Sequence, residues 1–392
     1  MKPVKDNDHK LDSVQNRQKA GLAVMEAETS RFRFEACRPD PASRRIGWVC
    51  SYTPEELIMA AGFTPCRIES GDGREEGADA FHPANLCPYV RGLLDSALSG
   101  RCDGLHGVVL VASCDAMRRL ADIWTLYVGG RFIHRLDVPR RSDCLAENFF
   151  VEQLRGLRSA LEREAVRRIA DDDIARAIET LNETRKLISR ISLLRTDPFS
   201  PLTGSEFAAI ARCAVESDKE RFNTEARRFL SAFGGKVKDR TERPRVLLCG
   251  SIVNGFALQE LIEDAGGAVV TDDLCTGLRH YDGLVDASSD PLRGIARRYL
   301  RRAGCARMKG ADARIRRLLG LAKEHGAAGV VYHTLKFCDL VQADLPRLRE
   351  ALRQEGIPLL HVDRDGASAA GGQLTTRVEA FIELLEKGSR QD

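Results

Sequence analysis

Residues Gly107 to Leu120 read GVVLVASCDAMRRL, and the fold follows from them. The apolar run Val108-Val109-Leu110-Val111 stops at Ala112-Ser113-Cys114, and Asp115-Ala116-Met117-Arg118-Arg119-Leu120 opens a helical pattern. A continuous apolar run bounded by small residues and followed by a helix is the pattern of a buried parallel strand in an α/β unit. Cys114 therefore stands where strand gives way to helix. In open α/β sheets ligands bind just beyond the carboxyl ends of the strands. The free amides and positive dipole end of a helix N-terminus also favour a thiolate there over a thiol. Taken singly, a cysteine in this position is more often an inert core residue. Here the construction recurs.

Upstream, Ile46-Gly47-Trp48-Val49-Cys50 is a short strand ending in cysteine. Thr53 is a suitable N-cap for the helix that follows, Pro54 suits its first position, and Glu55 and Glu56 complement its dipole. Gly62 ends that helix, and Thr64 to Ile68 is a second strand. Leu86-Cys87-Pro88-Tyr89 places another cysteine at a helix start, with Pro88 pre-organised for the first turn. Phe132 to Pro139 is a further strand. Strand and helix alternate from 45 to 142, which predicts a doubly wound domain. Residues 1–44, polar and charged with a weak helical stretch from Gln15 to Glu28, read as an arm.

From 143 to 240 the apolar residues recur at three- and four-residue spacing with no strand pattern, which predicts a helical connector. A second α/β domain, 241–392, repeats the plan of the first. Its strand Arg245–Cys249 is followed by a helix, then by a strand running to Thr271-Asp272-Asp273-Leu274-Cys275. A helix closes on Gly304-Cys305. The strand Ala327–His333 leads through a short turn to Cys338-Asp339, the counterpart of Cys114-Asp115. Pro358–Val362 is the last strand before a helix from Leu374 to Lys387.

Composition narrows the function. The 392 residues carry 60 Lys and Arg against 57 Asp and Glu, a net charge of +3, too balanced to indicate nucleic acid. No apolar run reaches membrane-spanning length and the N-terminus lacks a signal-peptide core, so a cytoplasmic protein is expected. No glycine-rich Walker loop is present, so the chain is not expected to hydrolyse ATP itself.

Twelve cysteines need a reason. Thiols stay reduced in the cytoplasm, so no disulfide framework is expected. No CxxC pair occurs, which removes zinc ribbons and thioredoxin-like chemistry in their usual form. Cys50, Cys87 and Cys114 in the first half and Cys275, Cys305 and Cys338 in the second all lie at strand ends or helix starts. Thiolates from separated loops suit an iron–sulfur cluster between two domains. Zinc is the competing reading, although its sites usually include a closely spaced ligand pair. Cys37, Cys66, Cys102, Cys144, Cys213 and Cys249 read as core or incidental, Cys249 least clearly.

Six motifs then carry a resemblance: WVCSYTPEELIMAAG (48–62), LCPYVRG (86–92), SCDAMRR (113–119), DDLCTGLRHYDG (272–283), YHTLKFCD (332–339) and GGQLTTRVEAFIELLE (371–386). Together they resemble the 2-hydroxyacyl-CoA dehydratase and benzoyl-CoA reductase family of iron–sulfur proteins, which includes the double-cubane cluster reductases. The resemblance implies two halves flanking a cleft, a cluster between them, and low-potential electrons from a separate ATP-dependent iron–sulfur activator. It also implies a homodimer or a heterodimer with a sister subunit, and an acyl-CoA or other small-molecule substrate.

Carried over to this sequence, Cys87, Cys114 and Cys338 are the ligands of a dehydratase-type [4Fe-4S] cluster, and Cys50, Cys275 and Cys305 extend them to a double cubane of [8Fe-9S] type. With six cysteines at matching positions, the double-cubane reductase is the expectation. A dehydratase component acting through a ketyl radical is the alternative, and a non-catalytic electron-carrier subunit is another. Glu55 or Glu56 is the candidate general acid/base, against the plainer reading that both only favour the helix N-terminus. Ser51, Tyr52 and His333 are candidate hydrogen-bond donors beside the cluster, and Lys336 and Arg377 candidate contacts to CoA phosphates.

Overall fold

The computed structural model describes residues 42–71, 77–83, 85–197, 200, 202–233, 242–288, 290–302, 304–365 and 371–389. The expected helix at Gln15–Glu28 and nearly all of the expected arm lie outside them.

The first four strands are β1 (Arg45–Trp48), β2 (Thr64–Arg67), β3 (Gly107–Ala112) and β4 (Phe132–Asp137), all parallel, in the order β2-β1-β3-β4. β3 is buried at every position, as its unbroken apolar run requires of a central parallel strand. The second sheet holds β5 (Arg245–Gly250), β6 (Ala268–Asp273), β7 (Gly329–Leu335) and β8 (Leu359–Arg364). Its order is β6-β5-β7-β8, again all parallel, the same topology as the first. The fold is α/β, with two doubly wound sheets.

Each sheet reverses direction of winding between its first and third strands, and that is where such sheets bind ligands. Three short elements shape the strand ends of the first sheet: α1 (Glu55–Ala60), α2 (Pro88–Leu98) and α3 (Asp115–Ile123). Cys87 caps α2 and Cys114 caps α3, as their sequence positions predict. The first helix differs by one residue. Pro54, in extended backbone, is the N-cap of α1, and its helix begins at Glu55 rather than Pro54.

No strand occurs among the described residues between the sheets. Four long helices fill the interval: α4 (Cys144–Ala165), α5 (Asp171–Leu193), α6 (Gly204–Glu216) and α7 (Lys219–Ala232). α1 packs against α5, burying Leu57 and Ile58 completely; each such side chain contributes about 1.5–3 kcal/mol. The second sheet carries α8 (Ala257–Asp264), α9 (Leu278–Tyr281), α10 (Pro291–Arg301), α11 (Ala311–Glu324), α12 (Asp339–Gln342), α13 (Leu345–Gln354) and α14 (Gly372–Ser389). β7 runs two residues beyond its expected end at His333, because Thr334 and Leu335 stay paired with Asp363 and Arg364 of β8. Cys338 then caps α12, and Cys305 lies in the loop after α10.

Candidate cluster cavity

One cavity of about 850 Å³, its open mouth included, is lined by Cys50, Cys87, Cys114, Cys275, Cys305 and Cys338. Cys66, Cys102, Cys144 and Cys249 do not line it, although they too are free thiols. Cys249 is fully buried within β5, and Cys213 is buried in α6. Cys213 is disulfide-bonded, contrary to the expectation that the thiols of this chain stay unpaired. The cavity lies at the carboxyl ends of β1 and β3 on one side and of β5, β6 and β7 on the other.

Within it the thiols have distinct neighbours. Cys87 interacts with Cys338 and Cys114, Cys305 with Cys275 and Cys50, and Cys338 with Cys275, so the six form one connected set. Cys114 interacts with Cys50, Cys305 and Cys338. Burial pushes the Cys87 thiol up to about 12, with Cys338 adding to it, and burial pushes Cys114 up to about 11. Backbone N–H groups at the helix starts act in the opposite sense at both residues. Desolvation therefore outweighs the helix N-terminus at the free thiols, although the helix start acts in the expected direction. These thiols ionise when something binds them and displaces the proton.

The charge of the lining is one-sided. Arg67, Arg279, Arg302 and Arg307 face the cavity and no carboxylate does. Arg279 is neutralised by Asp273, with Nη2 2.8 Å from Oδ2. Arg302 and Arg307 have no carboxylate partner among the described residues. Arg302 donates to the carbonyls of Arg279, His280 and Ser51, and Arg307 to those of Ser113, Pro139 and Val138. Arg67 Nη1 donates to the Cys275 carbonyl at 2.6 Å, and its Nη2 lies 3.9 Å from the Cys275 sulfur. Buried cations without counter-ions are costly, so a cavity built this way favours an anionic occupant.

Ser51 lines the cavity, and its hydroxyl donates to the Cys275 carbonyl at 3.0 Å. Tyr52 lines it as well, between the guanidiniums of Arg302 and Arg307, each 5.0 Å from the ring centroid. Glu55 and Glu56 do not line it. Glu55 is buried against Lys219, with Oε2 3.0 Å from Nζ, and against His280, with Oε1 3.0 Å from Nε2. Despite burial, Lys219 and then His280 hold the Glu55 carboxyl down at about 2. An ionised carboxylate only accepts, so His280 donates from Nε2. Burial in turn depresses His280 to about 3, and the lysine is then the cation that balances Glu55 at neutral pH.

His333 is buried outside the cavity lining, with burial holding it down at about 3. Lys336 and Arg377 are exposed and locally engaged, Lys336 with Asp365 at 3.3 Å and Arg377 with the His361 carbonyl.

With this geometry in view, the comparisons with known proteins are specific. The family model described as "2-hydroxyglutaryl-CoA dehydratase, D-component" matches residues 50–385. The chain belongs to that family. It is similar to the (R)-phenyllactyl-CoA dehydratase beta subunit of Clostridium sporogenes, 26% identical over 87% of this chain and 92% of the relative. It is also similar to one of the subunits of the benzoyl-CoA reductase of Thauera aromatica, 27% identical over 86% of this chain and 91% of the relative. The beta subunit of the (R)-2-hydroxyglutaryl-CoA dehydratase of Acidaminococcus fermentans is 24% identical, over 87% and 92%. As a member of the dehydratase family the chain is an enzyme component.

The donor set is six thiols facing arginines, a set that would fit an iron–sulfur cluster. Among the described residues no group of three or more His, Cys, Asp or Glu side chains is placed to hold a metal ion. The thiols frame a volume rather than a point, and as thiolates facing arginines they would fit a sulfide-bridged, anionic core. The arginines were missed at the sequence level, because a chain with 60 Lys and Arg offers no reason to single out four. Arg302 and Arg307 had one usable signal, in that they bracket Cys305.

Proposed function

We propose that this chain is the cluster-bearing component of an iron–sulfur reductase within the 2-hydroxyacyl-CoA dehydratase family, holding a double-cubane [8Fe-9S]-type cluster through Cys50, Cys87, Cys114, Cys275, Cys305 and Cys338. The observation that carries this reading is that, of the ten free thiols among the described residues, these six and none of the other four line one cavity.

An iron–sulfur cluster held there supplies single electrons at low potential. The chain contributes the rest. Arg67, Arg302 and Arg307 hold positive charge against the thiolates, and the apolar wall of Val49, Val90, Met117, Leu335 and Leu340 limits water. Ser51 and Arg67 fix the Cys275 carbonyl and so aim its side chain. Glu55 and Glu56 act as structural charges that hold α1 in place rather than as the acid/base pair.

Electrons come from a separate ATP-dependent iron–sulfur activator, since the sequence carries no nucleotide loop. The relatives are named as subunits, which supports a partner chain, either a second copy or a sister subunit, with an acyl-CoA or related small molecule as substrate. Anaerobic purification followed by iron, sulfide and zinc analysis tests the reading. About eight iron with sulfide per chain is expected, and stoichiometric zinc without sulfide would overturn it. The dehydratase alternative, one [4Fe-4S] cluster on Cys87, Cys114 and Cys338, has the mutual proximity of those three in its favour and would show about half that iron.

A further inference from the structure

Cys305 belongs in sequence to the second half, yet the two arginines that bracket it reach into the first. Arg302 Nη2 donates to the Ser51 carbonyl at 2.5 Å. Arg307 Nε donates to the Ser113 carbonyl at 2.6 Å, Nη2 to Val138 at 2.7 Å and Nη1 to Pro139 at 3.0 Å. Those three carbonyls lie just beyond β3 and β4, where the strands have ended and their acceptors are free. The first half returns the contact. Arg140 Nε donates to the Arg307 carbonyl at 2.8 Å, and the Lys309 N–H donates to the Arg140 carbonyl at 2.9 Å.

We propose that Arg302 and Arg307 are positioning residues, a two-armed clamp that carries the loop of Cys305 across to the strand ends of the first half and holds its sulfur at the cavity. The importance of Cys305 rests on the ligand reading above; the clamp itself does not. The reason for arginine is geometric. A planar guanidinium presents donors in several fixed directions at once, so Arg307 can span three carbonyls, and a lysine ammonium on a flexible stem cannot hold the same fork. Carbonyl partners also leave the positive charge uncancelled, free to face a thiolate.

Iodoacetamide labelling of the full-length apoprotein, read at each cysteine by mass spectrometry, tests the clamp without any cluster. In Arg307→Met and in Arg302→Met, Cys305 is expected to label about tenfold faster while Cys87 changes less than about twofold, the mark of local release. Arg307→Lys keeps the charge but not the fork and is expected to label fast as well. Arg140→Ala, an exposed change that leaves the interior intact, is expected to speed Cys305 about two- to threefold. Unchanged or slower labelling in Arg140→Ala and in the folded Arg307 variants overturns the clamp. Cys305→Ser with its iron fully retained overturns the ligand reading instead, and the labelling result stands apart from it.

Discussion

Glu56 Oε1 accepts from Arg185 Nη2 at 2.6 Å and Oε2 accepts from the Tyr299 hydroxyl at 3.0 Å, with the ionic side chains shut off from water. The three residues come from α1, α5 and α10, so a single carboxylate joins the first sheet's leading helix to the helical interval and to the second half. Removing one member of a buried pair strands the other charge. Glu56→Gln is therefore expected to cost about 3–5 kcal/mol in denaturant unfolding, with unchanged iron per folded chain. Full stability with lost turnover would instead make Glu56 a chemical participant.

Acid lability is expected to set in below about pH 6.5. Burial holds His280 and His333 neutral, each at about 3. Between those values and the ordinary histidine pKa the unfolded chain binds more protons than the folded one. Stability is thus fully present above about pH 6.5 and falls as the pH drops, by roughly 1.4 kcal/mol per pH unit for each histidine. Glu55, held at about 2, adds to the loss only below the ordinary glutamate range. Denaturant midpoints of apoprotein between about pH 7.5 and 4.5 check this, and a flat profile would contradict it.

Gly250, at the end of β5 and on the cavity wall, has φ of +116°, and a Cβ there would stand 2.1 Å from the His333 carbonyl oxygen. That oxygen accepts from the Ser251 N–H at 2.7 Å, so it is not free to move aside. Gly250→Ala is expected to destabilise by at least about 1–3 kcal/mol and to lower cluster retention. Gly156, with open space at its Cβ, serves as the control, and Gly156→Ala is expected to be neutral or mildly stabilising.

The cysteines separate the two enzyme readings. With a double cubane, Cys275→Ser and Cys305→Ser are each expected to remove about half of the iron, since a neutral hydroxyl is a poor substitute for thiolate. Cys66→Ser and Cys249→Ser are expected to leave it intact. Iron unchanged in the first pair would return the chain to a single cluster on Cys87, Cys114 and Cys338.

Turnover is expected to require ATP and a second protein, with no ATP hydrolysis by the chain alone. Steady reduction of substrate by the isolated chain from a mild donor would remove the activator from the account.

What the sequence determined by itself is local. Unbroken apolar runs in β3, β5 and β7 declare buried parallel strands, and Cys87-Pro88, Cys114-Asp115 and Cys338-Asp339 declare helix starts, because each rests on neighbours within one turn or one strand. The repeated strand–helix order also carries the two sheets of like topology, since parallel pairing needs a crossover. Tertiary structure decided what depends on distant partners. Pro54-Glu55-Glu56-Leu57 reads as an acidic helix start, yet Glu55 and Glu56 are buried because Lys219, His280, Arg185 and Tyr299, all more than a hundred positions away, pair with them. Cys114 sits where a helix dipole favours thiolate, yet burial, which only the assembled halves create, pushes its thiol up to about 11. The arginines that give the cavity its charge are indistinguishable from their surface counterparts until the chain closes around them, because desolvation is a property of the fold and not of the residue.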